Sequence, residues 1–587
     1  MKKAQKALRE FDILSAQTKQ IEEIIKHTKS GKLWNIEAAV RKKIKALNDL
    51  KDKQFNSFDV VYKKYLQLLD EISARLLEHY NKKNDTDYKF GEIVETDRKG
   101  YINSGIISVL ITSHIPRMTA EEFTKYFPEN PKDEYEAARA MKRTIYMHLG
   151  DTNTGKTYNA LERLKQAKSG VYLAPLRILA LENFEKLNRE NTPCSLITGE
   201  EEIIVENANH VSSTIEKLKI EKTYEVAVID EIQMISNSQR GQAWTSALLG
   251  LKCSEIHVCG AMNAKDLIIK ILGDCIDNFE IKEYSRQTPL VVYEKSFELR
   301  DAAKGDAIVA FSKRRVLELS KIYQMKGIMN SVIYGDLPPE VRRMQYEAFI
   351  RGKSNILITT DAIGMGVNLP IKRIIFMDIQ KFDGEEIRYL TTQEVKQIGG
   401  RAGRKGIYDV GYVGSVNSVN QQFIKDCLEM KDEDLEKAVI GPSEAILKIK
   451  SLPLREKIAL WSTEPVSLDY YRKMDVRDYL LVLDVIKYYK LPETDQYKLM
   501  KIPFDVNDDE LMLCFVGYVE EFYNKNKEQL TKPRQDDGTL FEMERYYQKI
   551  NLYYSFSKNF NIPFDEKWVY KERENVSKKI NSLLLKL

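Results

Sequence analysis

At 587 residues the chain is too long for one hydrophobic core, and typical domain sizes predict roughly three to five domains. Apolar residues make up 43% and charged residues 30%, a composition that excludes a disordered chain. The formal charge of +4 arises from 91 basic and 87 acidic residues, so any nucleic-acid surface must be a local patch rather than a general excess.

Signals for targeting and for structural metals are weak. The N-terminal segment lacks the apolar core of a secretory signal, and no stretch approaches a membrane span. The acids Glu10 and Asp12 argue against a transit peptide without excluding one. We therefore expect a cytoplasmic protein with no membrane partner. The six cysteines include no C-x-x-C pair and the six histidines are scattered, so no zinc site is predicted.

Helical periodicity dominates the start of the chain. Residues 2–80 are dense in Lys and Glu, and apolar residues such as Ile21, Ile24 and Ile25 recur at helical spacing. We assign residues 1–135 to a helical N-terminal accessory domain with solvated charged faces. A specific role in binding nucleic acid or a partner is the alternative interpretation.

After Pro131 the pattern changes to short apolar runs that alternate with amphipathic segments, as in a parallel α/β sheet. Two sets of runs predict two successive α/β domains, at 136–288 and 289–430. The predicted strands are 144–149, 171–174, 226–229 and 256–259 in the first domain, and 307–311, 331–334, 355–358 and 373–377 in the second.

Beyond about Met430 the strand signals fade, and residues 431–587 are predicted to be a mainly helical C-terminal region. Near the C-terminus, Val576, Ile580, Leu583 and Leu584 have helical spacing. Packing into a core is favoured over a dimer or partner helix. The oligomeric state stays open.

The string GDTNTGKT at 150–157 satisfies the pattern G-x-x-x-x-G-K-[ST]. It follows an apolar strand and opens a helix-like segment at 157–167, the context in which this pattern binds a nucleoside triphosphate. The loop and the helix N-terminus offer amides to the phosphates, Lys156 spans the terminal phosphates and Thr157 ligates Mg²⁺. The predicted nucleotide contacts are Gly150, Thr152, Asn153, Thr154, Gly155, Lys156 and Thr157.

Two adjacent acids end an apolar strand about seventy residues later, in the string VAVIDEIQ at 226–233. Open α/β sheets place their ligands at the carboxyl ends of strands. Asp230 is therefore predicted to hold Mg²⁺ through water, and Glu231 to orient or deprotonate the attacking water. An ordinary pair of acids at a strand end is the alternative.

A third motif, QIGGRAGR at 397–404, lies in the second α/β set. On a helix, arginines three residues apart share one face, and the glycines would allow close approach to a partner surface. Arg401 and Arg404 are predicted to stabilise the charge on the transferring phosphoryl group, with Gln397 completing the catalytic set. The ATP site would then be split between two domains, and hydrolysis would be coupled to their closure.

These three motifs, in this order, resemble helicase superfamily two. The strings LAPLRILALENFEKLN, TTDAIGMGVNLPIKRIIF and above all KFDGEEIRYLTTQEVKQIGGRAGRKG resemble the Suv-type RNA helicases of the mitochondrial degradosome and their bacterial relatives. The resemblance is strong over residues 136–412. It implies two tandem RecA-like domains flanked by a helical N-terminal domain and a mainly helical C-terminal region, with ATP and Mg²⁺ as cofactors.

The resemblance also implies contacts with the nucleic-acid backbone, which position phosphates without reading sequence. Asp361 and Gly366 resemble residues that face the nucleotide and couple it to the bound strand. The predicted nucleic-acid contacts are Pro175, Leu176, Arg177, Thr198, Gly199 and Thr214 in the first domain, and Ser312, Lys313, Thr359 and Thr360 in the second.

There are departures from the family pattern. Asp151 stands where the family usually has proline, and Gly399 stands where alanine is common, which puts the stiffness of the loop in doubt. The glutamine motif of DEAD-box proteins was not found ahead of the phosphate loop. Selectivity for adenine is therefore implied only by the resemblance.

The leading functional hypothesis is an ATP-driven helicase that moves 3′ to 5′ along single-stranded RNA, or along DNA, and separates tailed duplexes; direction and substrate are implied by the resemblance. The alternative is an ATP-gated RNA clamp that serves a nuclease partner without processive unwinding. A strand-separating hairpin, expected between Phe376 and Gln397 where the string KFDGEEIRYLTT is short, bears on this choice. A small-molecule kinase or transporter is disfavoured, because the arginine pair has no evident role there.

Overall fold

The computed structural model describes residues 2–51, 55–84, 88–114, 123, 125–365, 369–404, 406–449, 452–535 and 538–587. The chain divides into two compact units. The helical unit comprises Met1–Phe127, Phe382–Arg388 and Pro442–Pro465, and the motor unit comprises Pro128–Lys381, Tyr389–Gly441 and Val466–Leu587. The division departs from the predicted boundaries, because two distant segments join the N-terminal helices.

The helical unit is built from amphipathic helices whose apolar stripes face one another, as with the buried side chains of Leu47 and Leu69. At its centre the buried carboxylate of Glu37 accepts hydrogen bonds from the Ser73 hydroxyl and the Ile106 amide, each at 3.1 Å. Its helices are Lys2–His27, Trp34–Leu50, Phe58–Asn84, Phe90–Thr96, Arg98–Ser104, Ile106–His114 and Leu454–Thr463.

The first sheet of the motor unit contains eight strands in the part of the chain that the structure describes, in the order β4-β3-β5-β2-β6-β7-β1-β8. All neighbours are parallel except β3 and β4. The strands are β1 Thr144–Gly150, β2 Gly170–Ala174, β3 Cys194–Ile197, β4 Glu202–Ile203, β5 His210–Thr214, β6 Thr223–Ile229, β7 Lys252–Gly260 and β8 Asn278–Tyr284. The helices are Glu136–Arg139, Lys156–Gln166, Arg177–Arg189, Gly241–Gly250 and Lys265–Cys275.

The four strands predicted for this sheet lie within β1, β2, β6 and β7, which are its buried centre. The sequence analysis did not identify β3, β4, β5 and β8. The last two lack an apolar run, because β5 is the string HVSST and β8 is the string NFEIKEY. Their place in the sheet is set by pairing with β2 and β1 rather than by their own composition.

The second sheet is entirely parallel and, over the described ranges, has six strands in the order β11-β12-β10-β13-β16-β9. Between β13 and β16 the chain forms a separate two-stranded hairpin, β14 and β15. The strands are β9 Leu290–Val292, β10 Asp306–Val309, β11 Asn330–Ile333, β12 Ile356–Thr359, β13 Arg373–Phe376, β14 Gln380–Phe382, β15 Ile387–Tyr389 and β16 Gly411–Ser415. The helices are Lys313–Met325, Pro339–Ile350, Thr392–Gly399 and Ser418–Glu429. The prediction of two tandem α/β lobes is confirmed.

The rest of the motor unit is helical apart from a short parallel pair of strands, β17 Ala438–Ile440 and β18 Tyr471–Lys473. In the last helix, Val576, Ile580 and Leu584 are buried, as packing into a core requires. None of the helices that the structure describes combines the length and apolar character that crossing a membrane needs. The helices are Arg477–Ile486, Glu493–Met500, Asp509–Val519, Leu540–Asn559 and Glu566–Leu584.

Candidate functional site

The phosphate loop lies between β1 and the helix Lys156–Gln166. Gly150 ends β1 with φ +155° and lies so close to the backbone oxygen of Tyr284 that any side chain would collide with it. Asn153 and Gly155 take left-handed conformations, with φ of +64° and +81°. These turns bring the loop around the helix N-terminus, where free amides and the helix dipole favour an anion.

Two side chains of the loop have contacts that bear on phosphate binding. The ammonium group of Lys156 donates to the backbone oxygens of Gly150 at 3.0 Å and of Asp151 at 2.8 Å, so it lies across the loop. The hydroxyl of Thr154 donates to the Asp151 oxygen at 2.9 Å and closes the turn. The cation is therefore held by neutral carbonyl groups in the loop itself.

Asp230 follows β6 directly, and its buried carboxylate faces the start of the helix Lys156–Gln166. It accepts hydrogen bonds from the Thr157 hydroxyl at 3.0 Å and from the Tyr172 hydroxyl at 2.9 Å. Burial, with the charge of Glu231 as a second cause, raises the pKa of Asp230 to about 6. Sequence analysis did not identify Tyr172, although a tyrosine in the middle of a buried strand requires a partner for its hydroxyl.

Glu231 adopts a left-handed conformation with φ +51° and ψ 52°, which is uncommon for a residue other than glycine. Its carboxylate accepts a hydrogen bond from the side-chain amide of Gln233. The Gln233 carbonyl oxygen in turn accepts from the Ala261 amide at 3.1 Å, just past β7. Gln233 thus holds Glu231 against the neighbouring strand end, a role that the string DEIQ did not reveal.

The arginine motif of the second lobe departs from the expected geometry. The helix Thr392–Gly399 begins with a capping box formed by Thr391 and Glu394, but it ends at Gly399. Arg401 and Arg404 therefore lie in the turn after the helix, and the prediction that they share a helical face is wrong. Gly403, within this turn, has φ +72°, a left-handed conformation that favours glycine.

This turn rests against the phosphate loop of the first lobe. The side-chain amide of Asn153 donates to the backbone oxygen of Gly400 at 3.4 Å, and a side chain at Gly400 would collide with Thr152. Arg286, between the lobes, donates to the same Gly400 oxygen at 2.6 Å. The two halves of the predicted ATP site are thus in direct contact.

Within the second lobe, Arg401 donates through Nε to the backbone oxygen of Gly364 at 3.1 Å. Arg404 is half-buried, and its backbone oxygen accepts from the amides of the turn that follows. The Nε2 atom of Gln397 is buried and has no hydrogen-bond partner among the described residues, so its amide is open to a ligand or to water. The carboxylate of Asp361 forms an ion pair with the Lys381 ammonium group at 2.8 Å. The predicted nucleotide contact Gly366 lies outside the described residues.

The predicted nucleic-acid contact Arg177, directly after Pro175 and Leu176, is engaged by protein groups. Its side chain is 10% exposed and forms ion pairs with Glu200, with Glu201 at 3.1 Å and with Glu340 at 2.9 Å. It also donates to the Tyr547 hydroxyl at 3.1 Å. Glu340 belongs to the second lobe and Tyr547 to the helix Leu540–Asn559, so one guanidinium joins three parts of the motor unit.

Lys313 is engaged in the same way. Its ammonium group forms an ion pair with the carboxylate of Glu544, which is 4% exposed and also accepts from the Tyr334 hydroxyl. Burial raises the pKa of Glu544. Its neighbour Ser312 caps the helix Lys313–Met325 by accepting from the Arg315 amide at 3.2 Å. Motif analysis could not identify Glu544 and Tyr547, because no local pattern marks them.

The remaining predicted nucleic-acid contacts lie at or near strand ends, and the hydroxyls of Thr198, Thr359 and Thr360 make local hydrogen bonds. Thr198 accepts from the Glu201 amide at 3.0 Å, and Thr360 accepts from the Ala362 amide at 3.3 Å. Thr359 donates to the Thr360 oxygen at 3.0 Å. Thr214 ends β5, and the Gly199 oxygen accepts from Ser555 at 3.4 Å. They share the carboxyl edges of the two sheets.

Three family descriptions match successive parts of the chain. The DEXQ-box helicase domain of Suv3 matches residues 131–284, and the helicase conserved C-terminal domain matches residues 292–406. The C-terminal domain of the ATP-dependent RNA helicase SUV3 matches residues 540–586. The first two matches fall in the first and second α/β lobes, and the third covers the last two helices, the first of which carries Glu544 and Tyr547.

Curated relatives agree with these matches. The chain is 36% identical over 477 residues to the mitochondrial ATP-dependent RNA helicase SUV3 of Oryza sativa subsp. japonica, covering 78% of this chain and 79% of the relative. It is 34% identical over 467 residues to the mitochondrial DExH-box ATP-dependent RNA helicase DExH18 of Arabidopsis thaliana, covering 74% of this chain and 59% of the relative. The mitochondrial ATP-dependent RNA helicase SUPV3L1 of Homo sapiens is 42% identical over 326 residues, covering 53% of this chain and 42% of that protein. The chain thus spans about three fifths of the Arabidopsis relative's length.

The relatives' names correct one expectation. Each of these three relatives is named as mitochondrial, and this finding contradicts the cytoplasmic location expected from the sequence. That expectation rested on the acids near the N-terminus and on missing signals. Transit peptides are recognised by composition alone, so two early acids decide little.

Proposed function

Because this chain belongs to the SUV3 family of ATP-dependent RNA helicases, we propose that it uses ATP to move 3′ to 5′ along single-stranded RNA and to separate the duplexes it meets. One observation carries the proposal. The phosphate loop of the first lobe touches the arginine turn of the second, through Asn153 and Gly400. ATP bound in that loop would lie between two lobes, and its hydrolysis would change how they close.

The chemistry follows from the positions of the side chains. Among the described residues, the Lys156 ammonium donates to two neutral carbonyl oxygens of the loop, and we propose that its charge binds the terminal phosphates. Glu231, held by Gln233, is proposed to orient and deprotonate the attacking water. Arg401 and Arg404 are proposed to stabilise the charge that develops on the transferring group.

Mg²⁺ is part of the proposal because the donor set suits it. The Asp230 carboxylate and the Thr157 hydroxyl lie 3.0 Å apart at the loop, and small hard cations prefer such oxygen donors. When bound, the ion would neutralise phosphate charge. Tyr172, which donates to the other carboxylate oxygen, would orient Asp230 for it.

The hairpin of β14 and β15 supports unwinding over a passive clamp. It lies where a strand-separating element was expected, and it exposes Phe382 and Ile387, each 61% accessible. Apolar side chains that enter between base pairs unstack them, and aromatic rings stack on single bases. A clamp that only holds RNA would have no use for such a wedge.

Strand displacement tests the proposal directly. Duplexes of RNA or DNA with an unpaired tail at either end are mixed with the protein and ATP, and the release of a labelled strand is followed. We expect release from the RNA duplex with a 3′ tail, and at least tenfold stimulation of ATP hydrolysis by single-stranded RNA. The Glu231→Gln variant, which should bind ATP and strand without turnover, is the control for passive melting.

Each of the other outcomes contradicts a different part of the proposed function. Stimulated hydrolysis without release would favour the clamp, and release only with DNA or with a 5′ tail would correct the substrate or the direction. An ATP hydrolysis rate that does not change when nucleic acid is added would refute the interpretation of the protein as a motor on nucleic acid.

A further inference from the structure

We propose that Lys43 is a positioning residue for strand separation, because it fixes the tip of the β14–β15 hairpin so that its apolar side chains meet the duplex. This inference rests on the proposed unwinding function. It assigns to the N-terminal helices, which the sequence analysis left without a definite role, the task of holding the wedge.

The hairpin tip is a rigid turn. The Asp383 amide donates to the Glu386 oxygen at 3.1 Å. The Asp383 carboxylate accepts from the backbone amides of Glu385 and Glu386, at 3.1 and 3.0 Å. Gly384 has φ +103°, so a residue with a side chain would be strained there. These hydrogen bonds close the turn, with Phe382 and Ile387 on either side of it.

The base of the hairpin is fixed within the motor unit. Lys381 forms ion pairs with Asp361 at 2.8 Å and with Glu394 at 2.7 Å. Its neighbour across the base, Leu390, donates its amide to the Ile379 oxygen at 2.9 Å. Asp361 was predicted to face the nucleotide, so the base of the hairpin is connected to the part of the lobe expected to respond to ATP.

Within the helical unit, two consecutive lysines of the helix Trp34–Leu50 contact the tip. Lys42 forms an ion pair with Asp383 at 2.9 Å, and Lys43 forms one with Glu386. The Lys43 ammonium also donates to the side-chain oxygen of Gln17 at 2.6 Å. Lys43 is 4% exposed and Glu386 18%, whereas the Lys42 side chain is 48% exposed.

The difference in burial makes Lys43 the specific anchor. An exposed pair such as that of Lys42 contributes little, and Asp383 also receives the Arg388 guanidinium at 3.1 Å. Burying the charge of Lys43 is costly, and replacing a buried pair by apolar residues often stabilises a protein. A buried ion pair of this kind is best explained when it fixes one arrangement of the chain. Here the Lys43–Glu386 pair fixes the position of the hairpin tip.

The test compares unwinding with ATP hydrolysis in the full chain. Lys43→Met keeps an unbranched side chain but removes the charge, and Lys42→Ala on the exposed neighbour is the matched control. We expect Lys43→Met to lower displacement of the RNA duplex with a 3′ tail about tenfold. Hydrolysis stimulated by single-stranded RNA should stay within about twofold. Lys42→Ala should change neither rate by more than about twofold.

Two further measurements separate positioning from damage to the fold. The charge-swapped variant Lys43→Glu/Glu386→Lys should recover at least half of the displacement lost in Lys43→Glu alone. Hydrogen exchange at the amides of Glu385 and Glu386 should accelerate in Lys43→Met, while the amides of β10 and β13 keep their protection.

The outcomes that overturn the inference differ from those that overturn the proposed function. Wild-type-like displacement in Lys43→Met, a parallel loss of hydrolysis and displacement, or failure of the swapped variant to recover would each refute the anchoring role. Wild-type protein that hydrolyses ATP with RNA but displaces no strand would instead refute the unwinding function on which the inference rests.

Discussion

The phosphate loop and the surface that meets the C-terminal helices both carry cations suited to phosphate, but those cations are balanced differently. At the loop, the hydrogen bonds that the Lys156 ammonium makes with the described residues go to carbonyl oxygens of its own turn. At the other surface, Arg177 is paired with three glutamates and Lys313 with the buried Glu544. The first site holds its cation with neutral oxygens, whereas the second pairs its cations with carboxylates.

This difference shows that a cation in a binding motif is not by itself a binding charge. A phosphate that approaches Lys156 displaces weak neutral contacts, whereas one that approaches Lys313 must displace a carboxylate. The C-terminal helices therefore set how strongly the predicted nucleic-acid residues can act. Three experiments test this contrast, from the largest expected effect to the smallest.

The largest effect belongs to the phosphate loop. Lys156→Ala should lower RNA-stimulated hydrolysis at least about a hundredfold and weaken ATP binding, because it removes the cation that lies on the phosphate loop itself. Glu231→Gln should lower hydrolysis as much but still bind ATP, which fluorescent-nucleotide titration distinguishes. Lys168→Ala, an exposed cation of the same lobe, is the control. Normal turnover in either site variant would contradict the assigned roles.

A smaller effect is expected where the charge is already neutralised. Glu544→Gln should free Lys313 and raise affinity for single-stranded RNA by roughly threefold to tenfold at low salt, with a steeper salt dependence. The control variant Glu318→Gln also removes one carboxylate charge, from an exposed ion pair on the lobe that carries Lys313. It should change the affinity for RNA less. Fluorescence anisotropy measures both. Unchanged affinity in Glu544→Gln and also in Lys313→Ala would mean that Lys313 does not contact RNA.

The smallest effect is a shift in pH dependence at the loop. Burial raises the pKa of Asp230 to about 6, so below that pH its carboxyl group holds a proton and cannot hold a cation. Hydrolysis should fall as the pH drops through about 6. Because metal and proton compete for one carboxylate, a tenfold higher Mg²⁺ concentration should shift the pH at which hydrolysis falls to a lower value, by about one unit at most. A fall in hydrolysis at low pH that does not depend on the Mg²⁺ concentration would argue against Asp230 as the metal ligand.

The two lobes and the nucleotide loop could be predicted from local patterns. The buried strands β1, β2, β6 and β7 are apolar runs that need no distant partner to be identified. The string at 150–157 satisfies a motif whose loop geometry depends on its own glycines. The arginine turn was predicted to lie on a helix because its spacing allowed it, but the helix ends at Gly399, before either arginine.

What the sequence by itself determined is the chemistry that a short stretch of chain can build, because turns, caps and buried strands depend on residues a few positions apart. Only the tertiary structure decided which charges are free and which segment holds the hairpin. Arg177 and Tyr547 are 370 positions apart, Lys43 and Glu386 are 343 apart, and Lys313 and Glu544 are 231 apart. Long-range pairs of this kind leave no periodicity in the sequence, so their partners follow from the packing of distant elements alone.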